Sequence, residues 1–207
     1  MNETLCILSD GVDRLIRASP GGLLWSRGID SGRVLSRALK LFTSPVNASV
    51  DELLAPEIPE PLLFVPDTTD AGVGDALFGL TLSTSGVHLL RSVCQGIAFH
   101  YRSQLLSDDK GVNVESLHLC GGMFEHRTIC RIYAHVFNLP VARLRKGAGQ
   151  KLLPLLKLND HAVFLETLQN FRETPLFEPD HALHIRYTHH YKRYSSLKRD
   201  TILYNKG

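Results

Sequence analysis

The stretch that decides the fold runs from Glu115 to Val141 and reads "ESLHLCGGMFEHRTICRIYAHVFNLPV". The short apolar run "LHLC" is typical of a buried strand, and it ends at the pair Gly121-Gly122. Beyond the pair, apolar residues recur at three- and four-residue steps, which predicts an amphipathic helix, and "LPV" leads into another strand. A strand, a glycine turn, a helix and a further strand form one unit of an α/β sheet.

The rest of the chain extends this pattern in both directions. Three meandering strands are predicted near the N-terminus, in "TLCILSDG", "DRLIRAS" and "GLLWSRG". Asp30-Ser31 reads as the cap of a following helix, and a strand in "ALFGLTL" precedes the longest predicted helix, which spans Val87 to Leu105. A strand in "PVARL" and helices over 151–158 and 161–171 follow. Strands first and alternating units later predict a mixed sheet with helices on both faces.

Composition narrows the class of protein. The chain has 207 residues, 43% of them apolar and 21% charged, which is typical of one soluble globular domain with or without a tail. The net charge of +2 does not argue for a nucleic acid or an anionic membrane. The sequence shows neither a secretory signal nor an apolar run of about 18 residues, so no membrane partner is expected. The four cysteines lie singly in apolar runs, which predicts buried, reduced thiols and a cytoplasmic location.

Two segments stand apart from the alternating pattern. Residues 44–75 are rich in proline and are predicted to be a long loop insertion within a domain spanning 1–180. Residues 181–207 form a basic tail in which Tyr187, Tyr191 and Tyr194 recur at helical spacing. The stripe favours a terminal helix packed on the domain, and stacking on single-stranded nucleic acid is the alternative.

Candidate metal ligands and catalytic carboxylates are not convincing. The histidines within 181–190 lack cysteine or carboxylate partners at ligand spacing, so a solvated surface is favoured over a metal site. His88 and His100, on the long predicted helix, are expected to be exposed or hydrogen-bonded. Asp10-Gly11 and Asp30 are typical of turns, so no catalytic residue is assigned.

The glycine pair itself has two interpretations. It could simply make a tight turn between a strand and a helix. Alternatively, the missing side chains could let a flat or anionic ligand approach the main chain at a helix N-terminus, beyond the carboxyl end of a strand. Taken alone, the pair favours the turn.

Several longer segments together resemble a known family. The run "LLFVPDTTDAGVGDALFGLTLSTSGVHLLRSVCQGIAFHYR", followed by "LHLCGG" and "VFNLPV", resembles the C-terminal half of the FGGY carbohydrate kinases, such as xylulokinases, gluconokinases and glycerol kinases. The segment "FEPDHALHIRYTHHYKRYSSL" is similar to the family's closing segment. The resemblance implies a ribonuclease H-like fold of the actin/hexokinase ATPase type. It also implies phosphorylation of a sugar or polyol hydroxyl by ATP with Mg²⁺.

The resemblance assigns a role to the residues of the glycine turn. In the family this turn packs against the adenosine of the nucleotide, which implies that Gly121, Gly122, Met123 and His126 bind the cofactor. Met123 stands where a glycine or alanine is common, and Phe124 replaces a small residue. Two bulky side chains beside the ligand path could block adenine or repack around it.

The family's other elements bear on activity. Its catalytic aspartate, its phosphate loops and most of its sugar contacts would precede Met1, so the chain alone is expected to be inactive. Acidic residues from Asp67 to Asp75 replace the family's cations, which opposes nucleotide binding. A sugar would bind only with a complementary N-terminal domain. The alternative is a non-catalytic remnant or a regulatory module, with a second copy or a full-length kinase as its partner, and a nucleic acid is not expected.

Overall fold

The computed structural model describes residues 2–9, 13–19, 21–42, 49–54, 62–67, 74–107 and 113–204. In chain order, the elements are β1 (Asn2–Ser9), β2 (Arg14–Ser19), β3 (Gly22–Arg27), α1 (Ser31–Phe42), α2 (Val50–Leu54), β4 (Leu63–Val65), β5 (Ala76–Phe78), α3 (Gly86–Ser107), β6 (Asn113–Gly121), α4 (Arg127–Phe137), β7 (Val141–Arg143), α5 (Ala148–Leu158), α6 (His161–Phe171) and α7 (His181–Tyr204). A single 3₁₀ turn, Gly122–Glu125, joins β6 to α4.

The main sheet is mixed, as the sequence predicts. Its strand order is β3-β2-β1-β6-β7, and β4 and β5 form a separate two-stranded sheet. The meander β1-β2-β3 is antiparallel, because short turns can join only antiparallel neighbours. Strands β6 and β7 run parallel to β1, because each is reached through a helical crossover.

Helices cover both faces of this sheet. Along β1, Leu5 and Ile7 belong to a buried cluster that includes side chains of α3, α4 and α7. The alternate residues Cys6 and Leu8 belong to a second cluster with side chains of α5 and α6. Since successive strand residues point to opposite faces, the unbroken apolar run "LCIL" is that of a strand buried on both sides.

The proline-rich segment 44–75 is predicted to be one long loop. In the structure, its described part contains the helix α2 and the strand β4. Helix α2 begins with a capping box. The carboxylate of Glu52 accepts a hydrogen bond of 2.7 Å from the backbone N–H of Ser49, whose hydroxyl accepts one from the N–H of Glu52. A single helical turn is too short to show a hydrophobic period, so only this cap could have revealed it.

The basic tail forms α7, and its tyrosines pack on the domain. Tyr194 is fully buried, and its ring centroid lies 5.5 Å from that of Phe99 in α3. Tyr187 is also buried, with its centroid 6.3 Å from the same ring. The predicted packing of a terminal helix is confirmed, and the rings contact the domain at this face. Within the described ranges, no helix is both long enough and apolar enough to cross a membrane.

The prediction for His100 is wrong, whereas that for His88 is confirmed. His88 accepts a hydrogen bond at Nδ1 from the backbone N–H of Ser85. His100 is only 3% exposed, and neither of its ring nitrogens has a hydrogen-bond partner among the described residues. Burial, helped by the nearby charge of Lys198, lowers the pKa of His100 to about 3.

Side-chain packing also bears on the cysteine and metal predictions. All four cysteines are free thiols, and all four are buried, as predicted. Among the residues that the structure describes, which include 181–190, no three histidine, cysteine, aspartate or glutamate side chains are grouped as metal ligands.

Candidate functional site

The candidate site lies where β1 and β6 end side by side. The two strands are parallel, and Ser9, the last residue of β1, is in register with Gly121, the last residue of β6. Ligands of open α/β sheets bind beyond such carboxyl ends. Ser9 and Gly122 line two adjoining recesses at this edge, which we call the α1 recess and the α5 recess, and together the groove.

The α1 recess has a volume of about 360 Å³, within the roughly 300–1,000 Å³ typical of small-molecule sites. Met123 and His126 line it next to Gly122. The opposite wall is built by the start of α1 and the residues before it: Asp30, Gly32, Arg33, Leu35, Ser36 and Leu39. Asp30 caps α1, as predicted, because its Oδ1 accepts a 3.0 Å hydrogen bond from the backbone N–H of Arg33.

The α5 recess is smaller, about 170 Å³, and more basic. Arg145 and Lys146 line it where the chain turns into α5. Gly147 precedes that helix in a left-handed conformation, and no side chain caps the helix there. The positive end of the helix dipole and two cationic side chains thus favour negative charge in this recess.

The two glycines play different roles. Gly121 has φ of 125°, and a Cβ there would lie 2.2 Å from the carbonyl oxygen of Ser9, so only glycine fits. Gly122 is exposed, and a Cβ built on it would meet nothing within 4 Å. The turn interpretation therefore describes Gly121, whereas Gly122 presents open main chain to the groove.

The two bulky residues after the pair are packed into the core. Met123 is 4% exposed and Phe124 is fully buried. The Phe124 ring meets the ring of Tyr133 edge-on, with centroids 5.2 Å apart. The two bulky side chains could either block adenine or repack around it. Because both are buried in the core, the structure favours repacking.

His126 lies between the 3₁₀ turn and α4, partly exposed on the wall of the α1 recess. A carboxylate from α2 caps the helix that follows: Asp51 accepts backbone hydrogen bonds of 3.2 Å from Arg127 and 2.6 Å from Thr128. Partial burial would raise the pKa of Asp51, but these hydrogen bonds and the nearby charge of His126 lower it overall. Sequence reasoning missed Asp51, because its partners lie more than 70 residues away.

A buried polar chain leads inward from the groove. The hydroxyl oxygens of Ser9 and Ser31 lie 3.2 Å apart. Behind them, Oδ2 of Asp13 accepts hydrogen bonds of 3.3 Å from the backbone N–H of Ser31 and 2.5 Å from the hydroxyl of Tyr101. Desolvation raises the pKa of Asp13, although the hydrogen bonds oppose it. Sequence reasoning missed Ser9 and Asp13, because neither lies in a recognisable motif.

The two described residues of the acidic loop, Asp67 and Asp75, do not line the groove. Asp67 accepts a hydrogen bond from the N–H of Gly74, and Asp75 accepts one from the N–H of Asp67. Both carboxylates line a different recess, of about 600 Å³, with the end of α1. They stabilise their own turn, so the predicted repulsion of nucleotide does not apply to these two residues in the groove. Residues 68–70 and Asp10-Gly11 lie outside the described part of the chain.

Comparison with known proteins relates part of the chain to a known family. Residues 60–152 match the "FGGY family of carbohydrate kinases, C-terminal domain". This stretch, which is less than half of the chain, is similar to the FGGY C-terminal domain. Glycerol kinase 2 of Thermotoga maritima is 27% identical to this chain over 108 residues, which are 47% of this chain and 22% of that enzyme.

Solved structures match almost the whole chain in fold. The xylulose kinase of Rhodospirillum rubrum superposes with a TM-score of 0.74 and 20% identity, over 97% of this chain and 48% of that one. The glycerol kinase of Plasmodium falciparum, solved with ADP, does so with a TM-score of 0.66 and 16% identity, over 95% and 47%. The predicted ribonuclease H-like fold is confirmed, and the chain spans about half the length of these kinases.

Proposed function

We propose that this chain supplies the nucleotide-binding side of an FGGY-type carbohydrate kinase, an enzyme that transfers the γ-phosphate of ATP to a hydroxyl of a sugar or polyol. In this proposal Gly121, Gly122, Met123 and His126 form the wall that faces the nucleotide. The chain binds ATP by itself but completes the transfer only with a second domain that holds the sugar.

One observation carries the proposal: the open main chain at Gly122. No side chain covers it, it lies beyond the carboxyl ends of two parallel strands, and the α1 recess beside it is large enough for a small molecule. Main chain with no Cβ in the way suits the close approach of a flat base or a phosphate.

The charges around the groove fit an anionic ligand. Arg33 lies on the α1 side, and Arg145 and Lys146 lie on the α5 side. The hydroxyl of Ser9 stands between the two recesses and can donate a hydrogen bond to a phosphate oxygen. Magnesium, which would spread the phosphate charge, fits best as part of the ATP complex, because Asp30, the only carboxylate among the described lining residues, is engaged as a helix cap.

The same residues support the proposal that the chain alone does not catalyse transfer. The reaction requires a carboxylate or similar base near the attacking hydroxyl. Asp30 caps α1, and Asp13 is buried behind Ser9 and Ser31. In the described part of the groove, neither carboxylate is placed to take a proton from a sugar.

Titration calorimetry with MgATP tests the proposal. The wild-type chain is expected to bind, and Gly122→Val to bind at least tenfold more weakly, because its branched side chain enters the groove. Gly21→Val is the matched control, since its Cβ has comparable room in the turn between β2 and β3, at the opposite edge of the sheet. A folded wild-type chain that releases no heat with MgATP, or a Gly122→Val variant that binds normally, would contradict the proposal.

A non-catalytic module is the second candidate, favoured by the use of Asp30 as a cap. An assay of ADP release with pentoses, hexoses and polyols separates the possibilities. Release of ADP by the chain alone contradicts both. Release only after a kinase N-terminal domain is added supports the first, whereas ATP binding without release in either case supports the second.

A further inference from the structure

We infer that Asp13 is a positioning residue that determines whether the hydroxyl of Ser9 donates its hydrogen bond toward the groove or back into the domain. This inference rests on the proposed binding of a nucleotide in the groove. It adds a residue outside the glycine turn and a means by which the domain interior controls anion binding.

The geometry is a continuous polar path. Ser9 lines both recesses, and its hydroxyl oxygen lies 3.2 Å from that of Ser31, which is fully buried. The Tyr101 hydroxyl and the Ser31 N–H both donate to Oδ2 of Asp13, and the hydroxyls of Ser31 and Ser9 also lie within hydrogen-bonding reach of the carboxyl. The other oxygen, Oδ1, is buried and has no hydrogen-bond partner among the described residues.

Among the described residues, the groups that act on Asp13 are hydroxyls and a backbone N–H, and none is a cation. Burial raises the pKa of Asp13, and hydrogen bonds from Ser31 of α1, Tyr101 of α3 and Ser9 of β1 lower it in part. Burial raises the pKa of the Tyr133 phenol of α4, and the nearby charge of Asp13 raises it further. A fully buried carboxylate without a neighbouring cation is costly, which favours a proton on the group.

The presence or absence of this proton on Asp13 determines in which direction the hydroxyls of the path donate their hydrogen bonds. With a proton, Oδ1 is a donor to the neighbouring hydroxyls, so Ser31 can donate to Ser9 and Ser9 to an anion in the groove. Without it, both carboxylate oxygens accept only. Ser31 then donates to Asp13, and Ser9 donates to Ser31 or directly to Asp13, so that Ser9 turns a lone pair toward the groove and repels the anion.

An alternative cause must be separated from this one. An ionised Asp13 would also weaken anion binding through simple charge repulsion, with no part for Ser9. Removing the Ser9 hydroxyl distinguishes the two causes. If Ser9 mediates the effect, anion affinity no longer depends on the ionisation of Asp13 in Ser9→Ala. If direct repulsion is the cause, that dependence persists in the variant.

The test measures MgATP affinity of the full chain from pH 4 to pH 9, for wild type, Ser9→Ala and Ser36→Ala. Ser36 is an exposed serine that lines the same α1 recess without contact to Asp13, so it is the matched control. The ratio of wild-type to variant affinity cancels the ionisation of ATP itself. In parallel, ¹³C NMR of the Asp13 carboxyl gives its pKa in wild type and in Ser9→Ala.

At pH values below the measured pKa of Asp13, wild type is expected to bind MgATP about tenfold more tightly than Ser9→Ala. At pH values above that pKa, the two affinities are expected to be nearly equal. The Ser36→Ala ratio, whatever its size, does not change with pH. In Asp13→Asn, whose amide can donate as the protonated acid does, Ser9→Ala lowers affinity about tenfold at every pH. A Ser9→Ala ratio that does not change with pH overturns the inference while leaving the proposed nucleotide site intact.

Absence of ATP binding at every pH contradicts the proposed function, and the NMR titration then decides the inference alone. Removing a hydroxyl that stabilises the ionised carboxyl should raise the pKa of Asp13 further in Ser9→Ala. An Asp13 pKa that is the same in both proteins, or close to the ordinary value of about 3.9, overturns the inference.

Discussion

Gly121 lies so close to Ser9 that a Cβ at position 121 would come within 2.2 Å of the Ser9 carbonyl oxygen. The contact arises because β1 and β6 end in register, with the chain at position 121 in a conformation that other residues rarely adopt. The next glycine has open space where its side chain would be. The sheet therefore requires glycine at position 121, whereas position 122 has room for a side chain at the groove.

Gly121→Ala is expected to destabilise the domain by roughly 2–4 kcal/mol, because the added Cβ meets a backbone atom that cannot move without disturbing β1. Gly122→Ala is the matched control and should change stability by about 0.5 kcal/mol or less. Urea unfolding measures both. Equal losses at the two positions would show that the register of β1 and β6 is not the cause.

Asp51→Ala is expected to destabilise the start of α4 by about 1 kcal/mol, the usual cost of losing a helix cap. Hydrogen exchange at the amides of Arg127 and Thr128 should accelerate, and Asp51→Asn, which keeps an acceptor oxygen, should show a smaller effect. Because the pKa of Asp51 is lowered in the folded state, its stabilisation is present above the unfolded value of about 3.9 and is lost as the pH falls through the folded value. Wild type and Asp51→Ala should therefore converge in strong acid, and a difference that persists there would contradict a role for the charged cap.

His100→Leu is expected to make the protein more resistant to acid. The folded pKa of about 3 lies below the unfolded value of about 6.5, so the unfolded chain binds more protons and stability falls as the pH drops between these values. At pH 4.5 the loss of folding stability due to His100 amounts to about 2–3 kcal/mol, and the leucine variant does not suffer this loss. Urea unfolding at pH 7 and pH 4.5 measures the change, and an equal loss of stability on acidification in both proteins would show that His100 is not buried as described.

Tyr194→Ala is expected to cost roughly 3 kcal/mol and to loosen α7, because the ring is fully buried against Phe99. Ile185→Ala is the matched control, since Ile185 lies on the same helix and is 58% exposed. Thermal unfolding and limited proteolysis of α7 report the difference. A Tyr194→Ala variant as stable as Ile185→Ala would contradict the packed terminal helix.

Periodicity in the sequence was sufficient for most of the architecture. The steps of three and four residues in α3 and α4, and the unbroken apolar run in β1, reflect how much of each element is buried, which is a local property. Periodicity does not reveal α2, because one helical turn is too short to show a repeat of apolar residues. It also gives the wrong environment for His100, which is buried and not exposed or hydrogen-bonded. Whether a polar position on a helix is covered depends on a helix that comes some 80 residues later in the chain, and periodicity does not contain that information.

The sequence by itself determined the order of most elements, the mixed sheet and the location of the glycine turn. These follow from short-range patterns of apolar residues and turn formers, which each segment carries on its own. Only the tertiary structure decided that Gly121 serves the sheet while Gly122 faces the groove, and that Ser9, Ser31, Asp13 and Tyr101 form one path. Those relationships join four separate elements, and they exist because the packing of parallel strands and crossover helices brings distant parts of the chain within hydrogen-bonding distance.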